Sequence, residues 1–118
     1  MVVNKEIGMK LKVLRAEIEC DWYYEKGEPK RKRAFGASND CEFTIPEAKE
    51  FCDAPEKGDV FAWFRGKELI GVVDSDGYGA IYKVRKPFSE EDSIKEGFCD
   101  TWEQAEDACI EEMIKLIQ

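Results

Sequence analysis

The chain has 118 residues, of which 43% are hydrophobic and 12% aromatic, enough for a buried core, which excludes intrinsic disorder as the main state. Its 18 basic and 26 acidic residues give a net charge of −8, which disfavours a general binder of nucleic acids or anionic membranes. The absence of histidine removes the most common general base and the most common zinc ligand. We therefore predict a single domain over residues 1–118 without enzymatic activity, with a small enzyme as a disfavoured alternative.

The cysteines and apolar segments indicate the compartment. Five cysteines, an odd number without a C-x-x-C pair, predict reduced thiols rather than a disulfide framework or a zinc site. The longest apolar run, Val60–Phe64, is far too short to span a bilayer. Residues 1–8 lack the apolar region of a signal peptide and are predicted to form a loose leader. We expect a cytoplasmic protein that binds no membrane, cofactor or metal.

The N-terminal part predicts a β-hairpin. Residues Met9–Tyr24 fit both a helical stripe and a strand, and the alternation of polar and apolar residues towards their end favours the strand. Gly27–Pro29 offers a turn, and a return strand follows over Lys30–Gly36. In the expected register Glu25 pairs with Lys30.

A short helix is predicted between this hairpin and the next β-rich region. Thr44 is a suitable N-cap, Pro46 lies in the first turn, where its missing N–H costs nothing, and Glu47 completes a capping box. The helix is expected to run to about Cys52, before Pro55.

Three segments rich in β-branched and aromatic residues predict an antiparallel meander: Asp59–Arg65, Glu68–Asp74 and Gly79–Lys86. Two-residue turns at Gly66-Lys67 and at Asp76-Gly77 set a register in which Gly71 lies opposite Tyr82. One face of this meander is continuously apolar. The other face carries rings beside cations, namely Phe61, Trp63, Arg65, Lys83 and Arg85.

The clearest helix covers Thr101–Ile117, with Asp100 or Thr101 as its cap. Its apolar stripe is expected to lie on the apolar face of the meander and contains Trp102, Ala105, Cys109, Met113 and Leu116. The predicted fold class is α+β: an antiparallel sheet, made of the N-terminal hairpin and the three-stranded meander, packed by a C-terminal amphipathic helix, with a short helix between.

Two segments resemble known proteins. The string Thr101-Trp102-Glu103-Gln104-Ala105, continuing to Ile114-Lys115-Leu116-Ile117, resembles the closing T-[WY]-E-x-A helix of small uncharacterised proteins from gut bacteria and their phages. That resemblance implies a phage or mobile-element origin and no particular activity. The string Lys57-Gly58-Asp59-Val60, with Gly66 and Leu69–Val72, resembles a strand pair of an SH3-like barrel.

Three surfaces are candidates for binding a partner, and each also has a purely structural explanation as a solvated or covered surface. In the hairpin, cations alternate with aromatic residues, as in single-strand nucleic-acid binders; its cations include Lys30, Arg31, Lys32 and Arg33. The ring-and-cation face of the meander suits a base, a phosphate or acidic side chains. Residues 89–112 contain ten acids and one base and suit a basic partner, with Glu106, Glu111 and Glu112 as the candidate contacts.

These surfaces predict a non-enzymatic interaction or regulatory module that binds another macromolecule, with a protein as the first expectation. The alternative is a nucleic-acid-binding module that uses the basic hairpin and the ring-and-cation face. Because the acid is concentrated in residues 89–112, the rest of the chain is close to neutral, and the net charge lowers the odds of nucleic-acid binding without excluding it.

Overall fold

The computed structural model describes residues 1–31, 51–87 and 94–118 of the chain. The start of the helix predicted over 44–52 and the return strand predicted beyond Arg31 lie outside the described residues. The chain divides into two compact units, Met1–Glu56 (unit 1) and Lys57–Gln118 (unit 2). Within the described ranges, no helix is long and apolar enough to cross a bilayer.

Unit 1 begins with helix α1, Lys5–Val13, which follows the N-cap Asn4. The Asn4 side chain accepts a hydrogen bond from the backbone N–H of Ile7 at 2.9 Å and so satisfies one of the first donors of the helix. Ile7 and Leu11, one turn apart, are buried. Val3 is also fully buried, and its backbone N–H donates to Pro55 O at 2.9 Å, so residues 1–8 are packed within unit 1 and do not form the predicted loose leader. Over Lys5–Val13 the helical stripe prevails over the strand alternation.

The sheet of unit 1 has three antiparallel strands in the order β2-β1-β3, with bounds β1 Trp22–Glu25, β2 Glu28–Arg31 and β3 Phe51–Asp53. Only the end of the strand predicted over residues 9–24 is a strand, since α1 occupies its beginning. β3 pairs with β1, so the helix predicted to run to Cys52 is wrong at its C-terminal end.

The hairpin of β1 and β2 is confirmed, in a register two residues away from the predicted one. Lys26 and Gly27 join the strands with φ angles of 51° and 83°, as a type I′ turn requires. Glu25 therefore pairs with Glu28 rather than with Lys30. A shift of two residues keeps each side chain on its face of the sheet, and Lys30 Nζ still reaches Glu25 Oε2 at 3.2 Å.

Unit 2 contains two helices and a second antiparallel sheet of order β4-β5-β6. The elements follow in the order α2 Lys57–Arg65, β4 Ile70–Ser75, β5 Ala80–Arg85, β6 Lys95–Cys99 and α3 Trp102–Ile117. The predicted fold class, α+β with antiparallel strands packed by a C-terminal helix, is confirmed. The hairpin and the meander, predicted to form one sheet, belong to two separate sheets. The three-stranded meander is also present, but it contains β6 in place of the first predicted strand.

The strand predicted over Asp59–Arg65 is wrong, because these residues belong to α2. Val60 and Phe64, one helical turn apart, are both fully buried, and an apolar run this short satisfies either period. Gly66-Lys67 is consequently not a hairpin turn; the backbone N–H of Gly66 donates to Ala62 O at 3.3 Å, at the end of the helix. The resemblance of this segment to an SH3-like strand pair is not supported by the structure either.

The hairpin of β4 and β5 is confirmed with a register shift of two residues, so that Gly71 pairs with Val84 rather than with Tyr82. The turn is longer than predicted, because Asp76 Oδ1 accepts hydrogen bonds from the N–H groups of Tyr78 and Gly79, both at 2.9 Å. Because the register shifts by two residues, each side chain of β4 and β5 stays on its predicted face of the sheet.

Tyr82 lies against a glycine, as expected, but the glycine is Gly97 of β6 rather than Gly71. A Cβ at Gly97 would lie 2.5 Å from the ring of Tyr82. The close approach of this ring therefore helps to fix β6 beside β5.

Helix α3 packs across β4, β5 and β6 and closes the core of unit 2. Its N-cap is Thr101, in a capping box with Gln104: the Gln104 N–H donates to Thr101 Oγ1 at 3.2 Å, and the Thr101 N–H donates to Gln104 Oε1 at 3.3 Å. The ends of the predicted stripe are not core, since Trp102 is 46% and Leu116 41% exposed. The buried residues of the helix are Ala105, Cys109, Ile110, Met113 and Ile114.

The packing of α1 on β3 generates a stability prediction at Gly8. A Cβ at this position would lie 2.8 Å from Asp53 O and 2.9 Å from Cys52 Sγ. We expect Gly8→Ala to lower the free energy of unfolding by about 1–3 kcal/mol, because backbone must move to make room.

The matched control is Gly58→Ala in α2, where a Cβ would meet none of the described residues within 4 Å. This control should leave stability unchanged or raise it by up to about 1 kcal/mol, through helix propensity. Urea denaturation followed by circular dichroism measures both variants. Equal effects of the two substitutions would contradict the described packing of α1 on β3.

Candidate functional site

The sheet of unit 2 is covered by α3 on one face only. Val84 and Ala80 point to the covered face and are 0% and 2% exposed. On the opposite face, Val72 is 39% and Phe98 54% exposed. We name this opposite side the open sheet face; by strand alternation and register it consists of Ile70, Val72, Asp74, Ile81, Lys83, Arg85, Glu96 and Phe98.

Charge is distributed unevenly over the open sheet face. Arg85 is exposed opposite Ile70 at one end, and Lys83 lies in the middle with Glu96 as its partner on β6. Asp74 lies towards the other end. A shallow hollow of about 270 Å³ connects Asp74 with the two cations and is lined by Val72, Asp74, Ser75, Ile81, Lys83 and Arg85.

The ring of Phe98 lies against the backbone at the start of β5. A Cβ at Gly79 would come within 2.8 Å of Phe98 Cζ, so the glycine leaves the space that the ring uses. Phe98 is also the cross-strand partner of Ile81. The two side chains therefore form an apolar pair at one end of the open sheet face.

The predicted ring-and-cation face is not formed as a single surface. Lys83 and Arg85 lie on the open sheet face, whereas Phe61, Trp63 and Arg65 belong to α2. Because residues 57–65 form a helix and not the predicted strand, these three residues are not part of the sheet.

Trp63 makes two contacts next to α2. Its ring meets the ring of Phe64 edge-on at a centroid distance of 5.0 Å. The Nζ of Lys67 lies 5.3 Å from its ring centroid, in cation–π geometry. These contacts place Trp63 apart from the cations with which the sequence groups it.

Phe61 and Arg65 instead line a groove of about 340 Å³, here called the α2–α3 groove. Glu106, which the sequence assigns to a separate acidic surface, lies in the same groove. Sequence reasoning missed Gly58 and Trp102 at this site, since it treats the first as part of a strand pair and the second as core. The lining residues are Gly58, Phe61, Arg65, Gly71, Val73, Trp102 and Glu106.

The acidic surface of α3 is partly used within unit 2. Lys57 Nζ lies 3.0 Å from Asp107 Oδ1 and 3.8 Å from Glu106 Oε1, and the Lys57 side chain is only 5% exposed. Glu112 Oε1 lies 3.5 Å from Lys115 Nζ. The neighbouring Glu111 is half-buried and also interacts within the protein. A buried cation needs such partners, which gives Glu106 a structural role that the sequence spacing does not reveal.

The basic hairpin is described only as far as Arg31; Lys32 and Arg33 lie outside the described residues. All four residues of β2 are exposed. The hydrogen bond that Lys30 Nζ donates to Glu25 Oε2 raises the pKa of Lys30, so this cation is engaged with an acid of its own hairpin. Trp22 pairs with Arg31, whereas the predicted register, two residues away, would pair it with Arg33.

Two of the cysteines have thiols of low reactivity. Burial raises the pKa of Cys109 to about 12 and also raises the pKa of Cys52. Both thiols are therefore protonated at neutral pH and are poor nucleophiles. Among the residues that the structure describes, no group of three or more potential ligands is arranged to hold a metal ion.

Comparison of the chain with protein families, characterised proteins and solved structures found no match.

The ion pair around Lys57 generates a second stability prediction. We expect Lys57→Met to lower the free energy of unfolding by about 2 kcal/mol, because two partly buried carboxylates lose their cation. Adding Asp107→Asn should recover part of that loss, since one of the uncompensated charges is then removed. Urea denaturation at neutral pH measures both variants.

Lys115→Met is the control, because this lysine pairs with Glu112 at the surface and is 65% exposed. It should change stability by less than about 0.5 kcal/mol. A Lys57→Met variant as stable as this control would contradict a structural role for the buried pair.

Proposed function

We propose that the protein is a non-enzymatic, cytoplasmic interaction module and that its open sheet face binds a partner protein. The observation that carries the proposal is the exposure of Val72 and Phe98 beside Lys83 and Arg85, on a sheet whose other face is covered. Protein interfaces typically combine an apolar centre with charged groups at the rim.

The charges on this face favour a protein over a nucleic acid. Asp74 and Glu96 flank the apolar residues together with the two cations, so the surface carries both signs. A phosphate backbone would be repelled by these acids, whereas a protein segment can present a complementary pattern.

The size of the face suits a short partner segment. The open sheet face has eight residues. A stable interface takes about 20–30 residues on each side, so this face alone is too small for a permanent interface. We therefore propose a weak or regulated contact with an extended segment of another protein.

The remaining chemistry supports a non-enzymatic role in a reducing compartment. The four described cysteines are free thiols, Cys20, Cys52, Cys99 and Cys109. Disulfides are rare in the cytosol, where thiols are kept reduced. Because two of these thiols are buried with raised pKa values, they do not support nucleophilic catalysis.

A nucleic-acid partner is the second candidate, and one observation in unit 1 favours it. Strand β2 is exposed along its whole length, and Arg31 lies opposite the exposed ring of Trp22. A cation beside a ring is the combination with which single strands are bound.

Site-specific photo-crosslinking tests the first candidate. A photo-reactive phenylalanine analogue at position 98, in cells that naturally make the protein, should give a discrete protein adduct. Lys83→Glu with Arg85→Glu should remove that adduct, because both cations of the face are reversed. The analogue at position 116, which is exposed on α3, is the matched control and should not give the same adduct.

An adduct from position 98 that persists after both charge reversals would contradict the proposed role of these cations. Absence of any adduct would contradict the proposed face. Binding of a labelled single-stranded DNA with a steep loss of affinity as salt rises, abolished by Arg31→Glu, would favour the second candidate instead.

A further inference from the structure

The α2–α3 groove is built from residues at regular spacing on three elements. Gly58, Phe61 and Arg65 lie at positions i, i+3 and i+7 of α2 and therefore share one face of that helix. Trp102 and Glu106 are one turn apart on α3. Gly71 and Val73, alternate residues of β4, form the floor.

Gly58 leaves one wall of the groove bare. A Cβ at Gly58 would meet no atom of the described residues within 4 Å, and the backbone of this residue is not in the left-handed region. Gly58 is the second residue of α2, and neither close packing nor backbone conformation in the described part of the chain requires glycine there. The missing side chain enlarges the groove that Trp102 also lines.

The two aromatic residues of the groove differ in their packing. A Cβ at Gly71 would lie 2.6 Å from Phe61 Cε1, which shows that the ring of Phe61 lies directly on the strand. Trp102 follows the N-cap Thr101, whose capping box fixes the start of α3. The Trp102 side chain is 46% exposed, so part of its ring is open to a ligand.

The two charges of the groove are not equivalent. Glu106 lies near Lys57, 3.8 Å from its Nζ, and is already engaged. Arg65 is exposed, and no carboxylate of the described residues lies within ion-pair distance of it. The guanidinium of Arg65 can therefore bind an incoming carboxylate at two points.

We propose that the α2–α3 groove binds an aromatic side chain that is followed by an acidic residue in a segment of a partner protein. The ring packs between Trp102 and the bare wall at Gly58, and the carboxylate pairs with Arg65. Residues 58 and 65 are about 10 Å apart along the helix, which is enough for a ring and its neighbouring carboxylate.

The proposal rests on the proposed function, because it too takes a protein as the partner, but it uses the opposite face of the sheet. The groove volume of about 340 Å³ is at the lower end of ligand pockets, and the groove is open at Trp102. These features suit one side chain of a longer segment better than an enclosed small molecule.

Fluorine NMR of the protein labelled with 5-fluorotryptophan tests the groove directly. The probe is the peptide acetyl-Gly-Trp-Asp-Gly-amide, and Trp102→Phe assigns the resonance of Trp102. We expect the peptide to shift that resonance in a saturable way and to leave the resonance of Trp22 in place. A peptide with Asn for Asp should bind about fivefold more weakly, and one with Ala for Trp should not bind.

Three variants locate the binding site. Arg65→Gln should weaken binding of the Asp peptide about fivefold and leave binding of the Asn peptide unchanged. Lys86→Gln, which removes an exposed cation directly after β5 that belongs to neither proposed surface, is its control and should have no effect. Gly58→Leu should abolish binding while the melting temperature stays the same or rises, because the new side chain fills only open space.

Absence of a saturable shift at Trp102 up to millimolar peptide, or unchanged binding to Gly58→Leu, would overturn the proposal. Equal or tighter binding of free indole-3-acetate would overturn the protein segment as occupant and assign the groove to a small aromatic acid. If the peptide does not bind but position 98 still gives its adduct, the groove proposal fails and the open sheet face stands. If the peptide binds and position 98 gives no adduct, the open sheet face fails and the groove stands.

Discussion

The ring of Phe61 lies on the backbone of Gly71, and the arrangement of unit 2 depends on this contact. A Cβ at position 71 would lie 2.6 Å from Phe61 Cε1 and 2.9 Å from Cys109 Sγ, so side chains from α2 and α3 approach β4 at the same glycine. Both helices consequently lie on one face of the sheet. The other face is left to Val72, Phe98 and their charged neighbours, and it becomes the surface with which we associate function.

Some acidic residues that the composition counts towards a negative surface are paired with a buried cation inside unit 2. Glu106 and Asp107 hold the buried ammonium group of Lys57, which lies at the start of α2. Part of the negative charge of α3 is therefore engaged within unit 2, in ion pairs between α2 and α3. This internal use of charge leaves Arg65 as the cation that the α2–α3 groove presents to solvent.

The elements that could be predicted from the sequence are those set by residues close together in the chain. The C-terminal helix and its cap follow from residues within one or two turns, and both hairpins follow from glycines that permit tight turns. Their registers were shifted because Lys26 adopts a positive φ and because Asp76 extends the second turn through its side chain. Phe61, Trp63 and Arg65 were assigned to the wrong surface, since Val60–Phe64 fits a strand as well as a helix and only burial against the sheet decides between them.

The most direct test of this arrangement is a nuclear Overhauser experiment on the uniformly labelled protein. We expect contacts from the ring protons of Phe61 to the Hα protons of Gly71 and the Hβ protons of Cys109, with sequential amide contacts along residues 57–65. Cross-strand contacts between Trp63 and Ile70, as a hairpin at Gly66-Lys67 would give, would contradict it.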